Sequence, residues 1–176
     1  MDFYMKIIDI DDSFGTGHEC TVFYEVTNNY AMRQVLLSND RIVGSNRKDE
    51  AFDYFLAEGS INIDDLDVID ENFKIITKKE FEEVWLKHCE CYKSEWEQIK
   101  NKFKLGMQVQ GEVEVLYPQG IIVKLEENTI AITDYDDCLK NSSVTSIYPH
   151  QYISCKVKEY DEENMWIVLQ MPRIIS

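Results

Sequence analysis

The sequence predicts a chain in two parts: an α+β antiparallel meander with a long helix, followed by an all-β five-stranded barrel. Three observations carry this. Residues 77–103, TKKEFEEVWLKHCECYKSEWEQIKNKF, form the one long stretch with sustained helical periodicity. Residues 20–44 break into short runs rich in β-branched and aromatic side chains, punctuated by Asn and Asp. After residue 104 the texture changes to five short segments in which apolar and polar residues alternate. The expected segments are therefore 1–76 as the meander, 77–103 as a helix packing on and connecting the halves, and 104–176 as the barrel.

The helix is argued from its stripe. Phe81, Val84, Trp85, His88, Tyr92, Trp96, Ile99 and Phe103 recur at spacings of three or four, which places them on one face. Thr77 followed by Glu80 is a capping box, each satisfying an amide that the first turn leaves orphaned. Ahead of it, FYMKIIDI reads as a strand. CTVFYEV and YAMRQVLL read as a hairpin joined at Asn28-Asn29, which supplies the positive φ of a tight turn. Asn39-Asp40 marks a second turn into RIVGS. RKDEAFDYFLAEG reads as a short helix carrying Phe52 and Phe55, and SINIDDLDVIDENFKII as an acidic, partly extended lead-in.

In the C-terminal part, MQVQGEVEVL places Met107, Val109, Val113 and Val115 on one side, with Gly111 where a barrel strand bends. GIIVKL, TIAIT, YISCKVKEY and MWIVLQ supply four more strands. DYDDCLKNSSVTS is the longer irregular link between the third and fourth. Five short strands with that link suit an OB-type barrel.

The charge balance is the strongest compositional signal. Eighteen basic residues stand against 33 acidic ones, a net charge of −15. Up to Phe103 the count is 12 against 22, and beyond it 6 against 11, so neither part is basic. Such a chain repels polyanions at long range and attracts basic partners. No apolar run is long enough to span a bilayer, and the expectation is a soluble cytoplasmic protein without membrane contact. Five cysteines without framework spacing (Cys20, Cys89, Cys91, Cys138, Cys155) are expected as reduced, mostly buried thiols.

The N-terminal half resembles a family of small bacterial proteins associated with toxin and immunity gene neighbourhoods. The likeness runs over about residues 4–87. It rests on NNYAMRQVLLSNDRIVGS, a meander carrying Arg33, and on IDDLDVIDENFKIITKKEFEEVW, an acidic lead-in to a helix with Phe81 and Trp85. The resemblance brings no catalytic motif and implies a partner-binding role.

The C-terminal half resembles the S1-type RNA-binding module over about residues 104–170. LGMQVQGEVEVLYPQGIIVKLEE, YPHQYISCKV and DEENMWIVL carry it. Modules of this type stack bases on aromatic side chains beside basic residues. The motif places an aromatic on each side of the second-strand glycine. Here Gln119 precedes Gly120 and Ile122 follows it, so both rings are missing. Tyr117 remains as one stacking ring, with Lys124, Lys156 and Lys158 as phosphate contacts, set among acidic neighbours. RNA binding is expected to be weak.

Metal and catalytic readings fare worse. Cys89 and Cys91 sit about 200° apart on a helix and cannot share an ion. His88 and Cys91 share a face, but no second ligand pair accompanies them. Asp64, Asp65, Asp67, Asp70 and Glu71 lack the glycine and glutamate register of a calcium loop. They read either as a solvated face or as a docking strip for a basic partner. Gly15 and Gly17 lack the lysine of a phosphate loop, and no nucleophile sits in a triad-like context. The expectation is therefore no enzyme, no cofactor and no metal. It is an acidic binding protein of immunity type that neutralises a basic partner such as a toxin domain. RNA binding or a translation-associated role through the barrel is the alternative.

Overall fold

The computed structural model describes residues 2–11, 14, 16–39, 41–57, 59–66, 72–126 and 129–175. It divides into two compact units, Met1–Tyr92 and Lys93–Ser176.

The first unit is built on a five-stranded antiparallel sheet. Its strands are β1 (Phe3–Asp9), β2 (Cys20–Thr27), β3 (Tyr30–Leu37), β4 (Ile42–Gly44) and, after two short strands, β7 (Phe73–Ile76), in the order β4-β3-β2-β1-β7. Asn28 and Asn29 both take positive φ at the β2–β3 turn, as their local bonding allows. Because strand side chains alternate, the sheet has two different faces. Phe3, Met5, Val22, Tyr24, Val26, Leu36 and Val43 face one way and bury against Phe52, Phe55, Leu56, Ile61, Ile63 and Leu66. Tyr4, Phe23, Glu25, Arg33, Val35 and Gly44 occupy the other phase of the register. On that side lies helix α1 (Lys78–Glu90), begun by the Thr77–Glu80 capping box.

Two expectations are corrected in this unit. The described residues of 47–59 do not form a helix. Strands β5 (Lys48–Asp49) and β6 (Asp53–Tyr54) pair instead as a small hairpin. Asp49 accepts hydrogen bonds from the Ala51 and Phe52 amides and an ion pair from Arg41, and Asp53 takes φ of 53°. A short carboxylate that bonds its own backbone competes with helix, and here it wins. The helical stretch 77–103 is also not continuous. It stops after α1 and resumes as α2 (Lys93–Lys102). The Cys91 amide donates to the His88 carbonyl and that of Tyr92 to the Cys89 carbonyl, tightening the last turn. The Tyr92 ring lies 5.1 Å from His88 and receives the Arg47 guanidinium at 4.1 Å. Both helices keep the same apolar spacing, so periodicity runs through the break unmarked.

The second unit is a closed barrel of β8 (Gln108–Tyr117), β9 (Gly120–Glu126), β10 (Thr129–Thr133), β11 (Tyr152–Asp161) and β12 (Trp166–Ile174). Neighbours run β10-β12-β11-β8-β9 and back to β10, with β10 and β12 parallel and the other pairs antiparallel. That order is compatible with an OB-type barrel. The link after the third strand is only partly irregular: it opens with helix α3 (Tyr135–Asn141), started by Asp134 accepting from the Asp137 amide, and 142–151 hold neither helix nor strand. Val113, Ile121, Val123, Ala131, Ile153, Val157 and Ile167 are fully buried inside, and Trp96, Ile99 and Phe103 of α2 and its C-terminal flank join the same core. At Gly111 an added Cβ would come within 2.6 Å of the Lys124 carbonyl, so glycine permits the close approach of β8 and β9.

Candidate interaction surfaces

The strands decide which predicted residues meet. On the outward side of β8–β9–β10, Val115 pairs with Ile122 and Ile122 with Ile132, while Tyr117 lies opposite Gly120. Ile122 exposes no surface and Tyr117 is half-buried. Lys124 lies 3.7 Å from Glu114. Lys158 reaches Glu159 at 2.9 Å and lines a shallow groove of about 420 Å³ with Gln119, Ile132, Asp137, Val168 and Gln170. Lys156 lies on the neighbouring outward surface, where it pairs in register with Gln108 and with Gln170, which also borders the groove. The four residues read from sequence as RNA contacts thus fall on two adjoining sides of the barrel.

That other surface is the outward side of β8, β11 and β12. Cross-strand rows set Glu112 beside Tyr152, Gln110 beside Ser154 and Arg173, and Gln108 beside Lys156 and Gln170. The Ile175 amide donates to the Tyr152 carbonyl, which continues the first row. Tyr152, Met171 and Ile175 are 50%, 64% and 46% exposed, and Tyr148 in the preceding segment is 62% exposed. Met171 has φ of 54° at a register shift where β12 bulges against β11. Sequence reasoning missed this surface. The alternation in YISCKVKEY marks Tyr152, Ser154 and Lys156 as outward, but the bulge breaks the pattern in β12.

In the first unit, Asp64 and Asp65 lie exposed in a 3-10 turn (Ile63–Asp65), with Asn62 Oδ1 accepting from the Asp64 amide. Leu66 packs on the core. Asp67, Asp70 and Glu71, the rest of the acidic strip, lie outside the described residues.

The side of the sheet facing α1 holds a buried charge network. Arg33 is 2% exposed; its Nε donates to Glu25 at 2.6 Å and its Nη atoms to Glu82 at 2.6 and 3.3 Å. The guanidinium stacks 4.9 Å from the Phe81 centroid and 5.1 Å from that of Trp85. The Tyr4 hydroxyl donates to Glu25 at 2.9 Å. Burial pushes the Glu25 carboxyl up, but the hydrogen bond and charge of Arg33 outweigh it and hold the group below its ordinary range. Burial, then the bond to Glu25, raises the Tyr4 phenol to about 12. These groups bond to one another across the gap between sheet and helix.

Further along α1, His88 is 1% exposed and its Nε2 lies 2.8 Å from Asn46 Oδ1. Its ring lies so close to Gly44 that a Cβ there would sit 2.4 Å from Nε2. Burial, and then the Arg47 charge, lower its pKa to about 4, so the imidazole is neutral at pH 7. Burial pushes the Cys89 and Cys155 thiols up to about 11 and 12, which keeps them protonated and poor nucleophiles. All five cysteines are free thiols, with Cys91 alone exposed. Among the described residues no group of three or more His, Cys, Asp and Glu is placed to hold a metal ion. None of the described helices is long and apolar enough to cross a membrane. Comparison of the chain with protein-family models and with curated proteins finds no match.

Proposed function

We propose that this chain is a non-catalytic binding protein, acting in the cytoplasm, whose partner is a basic protein; neutralisation of a basic toxin domain is the sharpest form of the reading. The observation that carries it is the state of the β8–β9–β10 surface, the side through which OB-type barrels take nucleic acid. Ile122 is buried there, Gln119 stands in the second stacking position, and Lys124 is already beside Glu114. A barrel of S1-like pattern therefore serves as scaffold, on a chain whose net charge of −15 steers basic proteins toward it and polyanions away.

The test uses the purified full-length chain. Fluorescence anisotropy with a 20-nucleotide single-stranded RNA should give a Kd no tighter than the ~10⁻⁴–10⁻⁶ M of non-specific contacts at physiological salt. A basic protein recovered with the chain at low salt should associate with a rate constant that falls steeply as salt rises. Asp64→Lys with Asp65→Lys should lower that association rate constant by about tenfold, since such charges act on encounter before contact forms. Sub-micromolar, sequence-selective RNA binding would sink the reading and install the RNA-binding alternative.

A further inference from the structure

We propose that the outward face of β8, β11 and β12 is a second docking surface, and that it receives an acidic protein segment bearing apolar side chains. The inference goes beyond the basic partner and uses none of the residues assigned to it.

Two cations on this face, unlike most lysines of the unit, lie apart from carboxylates. Lys124, Lys158, Lys102 and Lys140 each lie within 4 Å of a carboxylate. Lys156 and Arg173 make no such pair among the described residues. The one carboxylate in the three cross-strand rows, Glu112, is engaged by His150 at 2.7 Å. On a chain with an excess of fifteen acidic charges, this patch is locally cationic. A surface that existed only for solubility would not concentrate the minority sign and leave it without counterions.

The apolar residues beside them give the second half of the argument. Tyr152, Met171, Arg173 and Ile175 are exposed together on adjacent strands. Tyrosine, methionine and arginine are the types enriched in the desolvated centres of protein interfaces. Met171 is held outward at a bulge in left-handed backbone, a conformation an L-residue adopts at some cost, and bulges re-aim side chains at functional surfaces. Gln108, Gln110 and Gln170 surround them with neutral donors and acceptors. Three rows on three strands cover roughly 14 by 10 Å, the size of an interface centre with its rim still to come.

Charge complementarity then names the occupant. Lys156 and Arg173 call for carboxylates or phosphates, whereas Met171 and Ile175 gain only from burial against apolar atoms. Two cations are few for a polynucleotide, which the whole-chain field also repels. An acidic polypeptide surface with interleaved apolar side chains satisfies both demands.

The experiment places a photo-crosslinking amino acid at Tyr152 of the full chain, in the cells that make it. The cross-linked molecule is then purified and titrated against unlabelled variants. The expected result is an acidic protein whose Kd weakens at least tenfold in Lys156→Glu with Arg173→Glu and in Tyr152→Ala. It should stay within about twofold of wild type in Lys156→Arg and in Asp64→Lys with Asp65→Lys. Unchanged circular dichroism and thermal midpoint will show that the variants fold. No cross-linked product, cross-linked nucleic acid, a basic protein, or a captured protein indifferent to the Lys156 and Arg173 reversal would each overturn the proposal. The Asp64 and Asp65 arm keeps its failure separate from that of the basic-partner reading.

Discussion

The two units stabilise themselves by different chemistry. In the first, the sheet meets α1 through Arg33, Glu25, Glu82, Tyr4 and His88, a layer of charges and dipoles sandwiched between aromatic rings. In the second, strand residues such as Val113, Ile121, Val123 and Ile167 close on one another without a charged group in the cluster. A dry core depends on volume alone and responds to cavities. An ionic layer depends on every partner being present, because an orphaned buried charge costs more than its pair contributes. The first unit should therefore be the one sensitive to charge and pH.

The largest test of that contrast is Arg33→Ala. It leaves Glu25 without its cation and opens space under Phe81 and Trp85, and should destabilise by about 3–5 kcal/mol in chemical denaturation. Arg33→Met with Glu25→Gln and Glu82→Gln removes all three charges, keeps volume, and should recover most of the loss. A cost below about 1 kcal/mol for the alanine variant would mean that the network is not an energetic element of the unit.

Next in size is the pH response. Folded His88 has a pKa lowered to about 4 against an ordinary value of 6.5, so between these values the unfolded chain binds the extra proton. Its contribution is complete above pH 6.5 and is lost as pH falls toward 4, at up to about 1.4 kcal/mol per pH unit inside the window. Glu25, also held low, adds its own loss only once its carboxylate begins to protonate in the acid range. Urea midpoints from pH 7 to 5 should fall for the wild type and flatten in His88→Gln. An unaltered slope in that variant would assign the effect elsewhere.

In the barrel, Ile167→Val deletes one methylene from a fully buried position and should cost about 0.5–1.5 kcal/mol, equally at pH 7 and pH 5. A pH-dependent cost would blur the distinction between the units. Smallest of all, Lys87→Ala on the exposed side of α1 should change stability by less than about 0.5 kcal/mol. A larger loss would show that the stripe on α1 is wider than Phe81, Trp85, His88 and Cys89.

Much of this architecture is legible in the sequence. β-Branched and aromatic runs between Asn and Asp turns located β1 to β4, short alternating segments located all five strands of the barrel, and Thr77 with Glu80 announced the start of α1. Legibility failed where local bonding or distant packing overruled periodicity. Asp49, accepting from the Ala51 and Phe52 amides, and Asp53, in left-handed backbone, turned a helical-looking segment into a hairpin. At the stop, Tyr92 packs against Arg47, more than forty residues earlier, a contact no spacing rule anticipates. Arg33 was visible in the sequence, but its burial was not, because only the register sets it beside Glu25 and beneath α1. The exposed patch on the barrel was hidden for the opposite reason: Met171 lies at an irregularity, and an alternating template misassigns residues beyond a bulge.

The closure of the barrel has a consequence for how this chain associates with anything. A ring of strands leaves few free rows of amides and carbonyls, so a visiting strand finds little edge to extend. Whatever binds there must be read by side chains, which substitution can retune one at a time while the backbone stays as it is. The first unit's sheet ends instead in β4 and β7, only three and four residues long. Both outer strands are too short to template much, which limits the risk that copies of the chain zip together at high concentration.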